Sequence, residues 1–285
     1  MADHILPYYL VESLPSNFIG YPKGTKIECR PYSFGEQMNL QIAGENGKKL
    51  FKNILDGVRC NIPKNTITTT DCIYLGIFRK LISTKQDKIT VETTCPVCLH
   101  RNKHTFTLKD LKFKNLEFDK LPIIANLQNY VLYFELMTVK RLTYCLDKFN
   151  GEALSLFASQ VTRIDEVERN EDFEIVKCKQ LDLGEEKLLK KAREIIGTAT
   201  DIDKEVLDDV ATYLSDYGLT PLDLVCQDEL CKADYTVQLE ENNVLVYPFR
   251  ESDKSARNRI KFGNESDNKS DRPAQNELSG SGTAD

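Results

Sequence analysis

The sequence predicts an α+β protein in which two β-hairpins of the zinc-knuckle kind pack together, with helical segments flanking them and inserted between them. Two stretches far apart in the chain share one layout, in which two cysteines on a turn precede a strand of alternating apolar and polar residues. Amphipathic helical patterns occupy the sequence before and between these stretches. After residue 250 the chain is polar and has few apolar side chains, which predicts a disordered C-terminal tail.

The chain before residue 139 is predicted to form two segments. Residues 1–35 carry Pro and Gly at short intervals among aromatic residues, which indicates an ordered N-terminal arm with a short strand at Thr25–Arg30. Residues 36–138 are predicted to hold helices, the first cysteine hairpin and one further strand. The helices are expected at Glu36–Ala43, Lys48–Gly57 and Thr70–Lys80, and the strands at Lys88–Thr93, Thr105–Leu108 and Tyr130–Leu136.

Residues 139–217 are predicted to be a mainly helical insertion. Thr138 is a candidate N-cap for a helix over Val139–Phe149. Three more helical patterns follow, at residues 152–161, 185–196 and 203–217, and Gly218 is a candidate for the glycine that ends the last of them. The stretch RIDEVERNEDFE at 163–174 predicts a solvated, charged connection between two of these helices.

The second cysteine hairpin is predicted within residues 218–250. After its two cysteines, the alternating stretch Tyr235–Leu239 predicts one strand, and Val244–Tyr247 predicts the strand that returns beside it. Residues 251–285 cannot bury enough apolar surface to offset the entropy lost on ordering. We therefore expect this tail to be disordered, or to become ordered on a partner.

The two cysteine pairs together predict one structural zinc site. A tetrahedral structural zinc needs four ligands, and each pair supplies two thiolates. The loops hold two and four residues between the cysteines, both within the range that zinc sites use. The predicted ligands are Cys95, Cys98, Cys226 and Cys231. A site closed on four thiolates leaves no position for water, so the ion would stabilise the fold and not act as a Lewis acid.

Other interpretations of these cysteines stay open. They could be reduced thiols on turns that bind nothing, or the first pair could be a redox-active C-x-x-C motif. The redox interpretation is disfavoured because this motif does not open a helix, where the dipole would lower the thiol pKa. His100 and His104 lie close enough in sequence to compete as ligands, but the second cysteine pair makes them unnecessary, so we expect both to be exposed.

Composition restricts the class of protein. The formal net charge of −6 disfavours nucleic-acid binding, which depends on Lys and Arg neutralising phosphates. No stretch approaches 18 consecutive apolar residues, and no secretory signal pattern is visible near the start, so neither a membrane span nor export is expected. The odd number of cysteines, nine, favours a reducing compartment. The five outside the two pairs are expected to be buried: Cys29, Cys60, Cys72, Cys145 and Cys178.

Motifs that carry catalysis are missing from the sequence. There is no G-x-S-x-G, P-loop, G-x-G-x-x-G or H-E-x-x-H pattern, and two of the three histidines lie on the first cysteine hairpin. We therefore predict that the protein is not an enzyme. A site built only from carboxylates stays open as an alternative, since Asp and Glu total 44.

Several motifs occur in an order that resembles the baseplate hub proteins of contractile-tailed, T-even-type bacteriophages. They are RPYSFGE at 30–36, NTITTTDCIYLGIFRKLIS at 65–83, TCPVCLHRNKHTFTL at 94–108, YFELMTVKRL at 133–142 and DYGLTPLDLVCQDELCKADYTVQL at 216–239. The resemblance covers about residues 28–250, with gaps around 150–200. The four-residue loop between Cys226 and Cys231 departs from C-x-x-C, which leaves the geometry of the second knuckle open.

The resemblance implies a structural protein of the virion, located in the tail baseplate and assembled in the host cytoplasm. Its partners would be other baseplate and tail proteins, and several copies would surround the tail axis. The alternative function, from the cysteine pairs alone, is a zinc-ribbon module that recruits a protein or nucleic-acid partner in transcription.

Overall fold

The computed structural model describes residues 6–43, 46–83, 88–107, 111–117 and 121–237. Within these ranges the chain forms seven α-helices and several small antiparallel sheets, so the predicted mixture of α and β structure is confirmed. The helices are α1 Phe34–Ala43, α2 Gly47–Asp56, α3 Thr69–Ser83, α4 Val139–Phe149, α5 Ala153–Ala158, α6 Glu185–Gly197 and α7 Asp201–Ser215. No helix in the described ranges is long and apolar enough to cross a membrane.

Thirteen strands in the same ranges form five antiparallel sheets. The first sheet has the order β1-β2-β3 and the largest has the order β10-β9-β8-β7; the pairs β4-β5, β6-β11 and β12-β13 make up the others. The strands are β1 Tyr9–Leu10, β2 Ile27–Cys29, β3 Val58–Cys60, β4 Lys88–Thr94, β5 Arg101–Thr107, β6 Phe113–Lys114, β7 Ile123–Asn126, β8 Tyr130–Phe134, β9 Val161–Arg169, β10 Ile175–Gln180, β11 Gly218–Leu219, β12 Leu222–Val225 and β13 Asp234–Val237.

The motif RPYSFGE marks the start of α1 and the centre of the first half of the molecule. Ser33 and Glu36 form a capping box, because the Glu36 amide donates to Ser33 Oγ and the Ser33 amide donates to the Glu36 carboxylate. Glu36 also accepts hydrogen bonds from Arg30 and from Arg79 of α3. The Arg79 guanidinium, fully buried, stacks on the ring of Tyr32 at 3.8 Å.

Two hydrophobic cores divide the described residues. The first is built from the arm, α2, α3 and both cysteine hairpins, and includes Cys95, Cys226 and Tyr235. The second lies between the four-stranded sheet and helices α4 to α7, with Leu132, Phe134 and Ile164 fully buried on the sheet side. The cysteine hairpins therefore belong to the core of the N-terminal half, although the second of them follows all seven helices in the chain.

The structure corrects two expectations for residues 139–218. The stretch 163–174 is not a solvated connection: it lies in β9 and in the turn to β10, and β9 pairs with β8. Its Asp165 is buried and accepts hydrogen bonds from Arg163 and from the Tyr133 hydroxyl, so a charge here does not mark a loop. Gly218 does not cap α7, which ends at Ser215; it begins β11 with a φ of 110°.

The segment boundaries predicted at residues 35, 138, 217 and 250 stay predictions. The largest sheet crosses position 138, because β7 and β8 precede it and β9 and β10 follow it. The second cysteine hairpin is formed by β12 and β13, a pairing that was not predicted; the return strand was predicted at Val244–Tyr247. That stretch and the predicted tail 251–285 lie outside the described residues.

Candidate metal centre

The first cysteine hairpin places two thiols on the turn between β4 and β5. These strands pair in an unbroken register from Lys88↔Thr107 to Thr94↔Arg101. In the turn, the Cys95 amide donates to the His100 carbonyl and the Leu99 amide donates to the Cys95 carbonyl. Leu99 takes the left-handed conformation, with a φ of 63°, which closes the turn.

The second hairpin presents its thiols in a wider loop with the same closing bond. The Cys226 amide donates to the Ala233 carbonyl, as the Cys95 amide does to His100 in the first hairpin. Asp228 holds the four-residue loop, because its Oδ1 accepts from the amides of Leu230 and Cys231. The departure from C-x-x-C is therefore accommodated by a side-chain turn within the loop.

The structure brings all four cysteines together. Their Sγ atoms lie within 4.8 Å of one another; the Cys95–Cys231 distance is 3.8 Å and the Cys98–Cys226 distance is 3.5 Å. Four sulfurs around a zinc with bonds of about 2.3 Å would be about 3.8 Å apart. All four are free thiols, and among the described residues they are the one group of three or more metal-binding side chains close enough to share an ion.

Burial differs among the four thiols. Cys95 and Cys226 are buried, Cys231 is intermediate and Cys98 is exposed. The core therefore covers one side of the cluster while the other side reaches the surface, which gives an ion a route of entry.

The thiols interact strongly enough to shift one another's pKa. Hydrogen bonds from the backbone, led by that of Cys98, lower the pKa of Cys95 to about 7. The pKa of Cys98 is raised to about 12, because desolvation and the other three thiols outweigh the lowering by the His100 backbone. Four adjacent thiolates would repel one another without a cation among them, so the arrangement is compatible with a thiophilic divalent metal ion.

Polar side chains join the two hairpins beside the cysteines. The Gln227 side chain accepts from the Lys103 amide and donates to the Lys103 carbonyl, which extends the edge of β5. The Gln227 amide donates to Oδ1 of the buried Asn102. The Tyr235 hydroxyl lies 2.7 Å from Thr93 Oγ1 and 3.1 Å from His104 Nε2. None of these positioning residues belongs to a recognisable motif, so the sequence alone gives no signal for them.

The histidines near the site contact groups other than the thiols. His100 is exposed, and its Nδ1 lies 3.7 Å from a carboxylate oxygen of Asp228. His104 is half-buried against Tyr235, so the expectation that it is exposed is wrong; desolvation lowers its pKa. Among the five isolated cysteines, Cys29, Cys72 and Cys145 are buried as expected, Cys60 is partly exposed, and Cys178 is exposed.

Residues 11–174 match the protein-family model described as T4 bacteriophage base plate protein. The matched range is more than half of the 285 residues. It contains the first cysteine hairpin and the strands β7 to β9, whereas the second hairpin lies beyond it. No curated protein and no solved structure matches the chain.

Proposed function

The chain belongs to the family of T4 bacteriophage base plate proteins, and from this premise we propose that it is a structural component of the baseplate at the distal end of a phage tail. The match across residues 11–174 is the observation that carries the proposal, since it includes most of the first core and the strands of the largest sheet except β10. The protein acts by binding neighbouring tail proteins during assembly, and not by catalysis.

We place the chain in the hub of the baseplate or directly beside it. Its partners are other baseplate and tail proteins, and several copies surround the tail axis, because closed rotational symmetry repeats each subunit. Assembly takes place in the host cytoplasm, where thiols stay reduced, and the nine cysteines without a disulfide in the structure are compatible with that compartment.

We further propose that Cys95, Cys98, Cys226 and Cys231 bind one structural zinc ion. Sulfur spacings of 3.5 and 3.8 Å and two hairpins fixed by Gln227 and Tyr235 support this assignment. With four thiolate ligands the ion has no open position for water, so its role is to hold the hairpins together. The ion would connect residues inside the family match with residues beyond it.

Recruitment of nucleic acid in transcription, the alternative function of a zinc-ribbon module, has less support. The net charge of −6 opposes binding to phosphates, and the family match indicates a base plate protein of a phage tail. Retention on a DNA column that weakens steeply with salt would favour the alternative.

The baseplate role is tested on purified phage particles. Tryptic peptides of this chain are expected at a fixed copy number, low relative to the tail sheath protein. Peptides from both the matched range and the second hairpin should be recovered, since both would belong to the assembled subunit. Absence of the chain from mature particles and from tail intermediates would contradict the role.

Zinc binding is tested by metal analysis of the full-length protein exposed to zinc and then desalted. About one zinc per chain is expected, and the Cys226→Ser, Cys231→Ser double variant should lose it together with cooperative unfolding. Cys178→Ser is the matched control, because Cys178 is exposed and lies outside the cluster. Zinc that stays bound in the double variant, or is lost in the control, would contradict the assignment.

A further inference from the structure

Strand β10 is exposed at every position, unlike the other strands of the largest sheet. All six residues from Ile175 to Gln180 are exposed, and β10 ends the strand order β10-β9-β8-β7. Apolar side chains also face solvent here: Phe173 in the turn before β10 is 66% exposed and Val176 in β10 is 62% exposed. An exposed edge strand with apolar residues is a template on which another strand can pair.

The hydrogen-bond register shows which backbone groups face the open edge. The Leu181 amide donates to the Ile164 carbonyl at 2.9 Å, so this pair is hydrogen-bonded. Because hydrogen-bonded pairs alternate along antiparallel strands, Lys179 and Lys177 also direct their backbone groups toward β9. Cys178 and Gln180 therefore direct their N–H and C=O groups away from β9, and within the described residues these groups have no strand beside them.

Two of the six side chains along this edge, those of Lys177 and Lys179, are basic. Lys177 forms an ion pair with Glu168 at 2.6 Å, and Lys179 lies opposite Glu166 with no ion pair in the described part of the chain. Lysines on an edge strand discourage unspecific pairing. They also select a partner strand, since opposite charges directly across a strand pair stabilise it and like charges destabilise it.

From this edge we propose that β10 accepts an extended, acidic segment of another protein, which adds a fifth strand to the sheet. The proposal rests on the baseplate role only in taking that other protein to be a neighbour in the tail. The added strand would bond the backbone groups of Cys178 and Gln180 and place Asp or Glu side chains beside Lys177 and Lys179. Apolar side chains in the same segment would cover Val176.

A second copy of this chain fits the edge less well. In a two-fold antiparallel pairing centred on Cys178, Lys177 of each copy lies directly across from Lys179 of the other. Two such like-charge pairs oppose the association. The chain's own residues 251–285 carry charges of both signs at short intervals, so they offer no acidic run either.

The inference is tested by hydrogen exchange on the full-length protein, alone and within purified particles. In the isolated chain the amides of Cys178 and Gln180 should exchange rapidly while those of Lys177 and Lys179 are protected by β9. In particles the two outward amides should exchange at least about tenfold more slowly. Zero-length carbodiimide coupling, which joins amines to carboxylates, then identifies the partner as an Asp- or Glu-containing segment linked to Lys179.

A pair of variants separates the edge from the rest of the fold. Cys178→Pro removes the outward N–H without removing a bond to β9, and Cys178→Ala keeps it. Both should unfold with wild-type cooperativity, and only the proline variant should be depleted from particles, by at least about tenfold. A chain missing from particles altogether contradicts the baseplate role. If the chain is present in particles but the Cys178 and Gln180 amides still exchange rapidly, this inference is contradicted. It is also contradicted if carbodiimide couples Lys179 only to the same chain or to a second copy.

Discussion

The buried guanidinium of Arg79 is expected to be the largest single polar contribution to stability in the N-terminal half. It donates to the carbonyl oxygens of Arg30, Asn53 and Ile54 and to the Glu36 carboxylate, at distances of 2.7 to 2.9 Å. These bonds tie α3 to α2 and to the start of α1. The side chain has no exposed surface.

Arg79→Met would keep most of the apolar stem and remove every one of these hydrogen bonds. Three carbonyl oxygens would then lose a donor, at about 1–3 kcal/mol for each that stays buried and unpaired. Glu36 would keep Arg30 as its one guanidinium partner. Removing one partner of a buried ion pair costs about 3–5 kcal/mol, and we expect a loss in this range in the free energy of unfolding.

The assay is urea unfolding followed by circular dichroism, with Lys48→Met as the matched control. Lys48 pairs with Asp147 at the surface, where both side chains are about half exposed, so its removal should change the unfolding free energy by no more than about 1 kcal/mol. If Arg79→Met lost no more stability than the control, the guanidinium would not connect these helices as described.

Three further predictions concern the same half of the molecule. Burial would raise the pKa of Glu36, but hydrogen bonds from Arg30, Ser33 and Arg79 lower it to about 2. The contribution of Glu36 to stability is therefore complete above about pH 4.5 and is lost as the pH falls toward 2. Glu36→Gln should flatten the pH dependence of the unfolding free energy between these two pH values. An unchanged slope would contradict this prediction. Gly57→Ala should destabilise the protein by at least about 1 kcal/mol in urea unfolding, because a Cβ there would overlap the Arg79 guanidinium, and a neutral result would contradict that packing. Tyr235→Phe removes the hydroxyl that contacts Thr93 and His104, and it should lower the free energy of unfolding by about 1–2 kcal/mol. The measurement is thermal unfolding of the zinc-loaded protein. No change would show that this contact is unimportant for docking the hairpins.

Elements specified by local sequence could be predicted closely. Helix α4 begins and ends at the predicted residues, because the side chain of Thr138 accepts from the Arg141 amide and the apolar spacing behind it is helical. The turn-and-strand layout likewise predicts β5 within a few residues. In both cases the determining interactions join residues that are neighbours along the chain.

Elements specified by distant partners could not be predicted in the same way. In β9 the neighbours Ile164 and Asp165 are both buried, which breaks the alternation expected of a strand. The Asp165 carboxylate accepts from Arg163 in the same strand and from Tyr133 of β8, and no local pattern predicts the contact with Tyr133. The pairing of β13 with β12 was also not predicted, because β12 has only four residues and gives a weak strand signal.

The same distinction between local and long-range interactions applies to the candidate site. Two repeated layouts pointed to the four cysteines, and the structure places their sulfurs within 4.8 Å. Their use as metal ligands stays a proposal. The residues that dock one hairpin on the other, such as Gln227 and Asn102, act through contacts between positions about 125 residues apart, so a single sequence gives no signal for them.

The length of chain between the cysteine pairs indicates what a bound metal would contribute. The pairs are joined by 127 residues, from Leu99 to Val225, which contain the second core. By the loop-closure argument used for disulfides, a cross-link over a loop of this length removes about 5 kcal/mol of entropy from the unfolded chain. Beside the cysteines the hairpins are joined by polar contacts of Gln227 and Tyr235, and Leu222 and Leu224 of the second hairpin are buried in the first core. A bound metal would therefore add a cross-link to this packing, and chelation should weaken the attachment of the second hairpin to the first core before the second core unfolds.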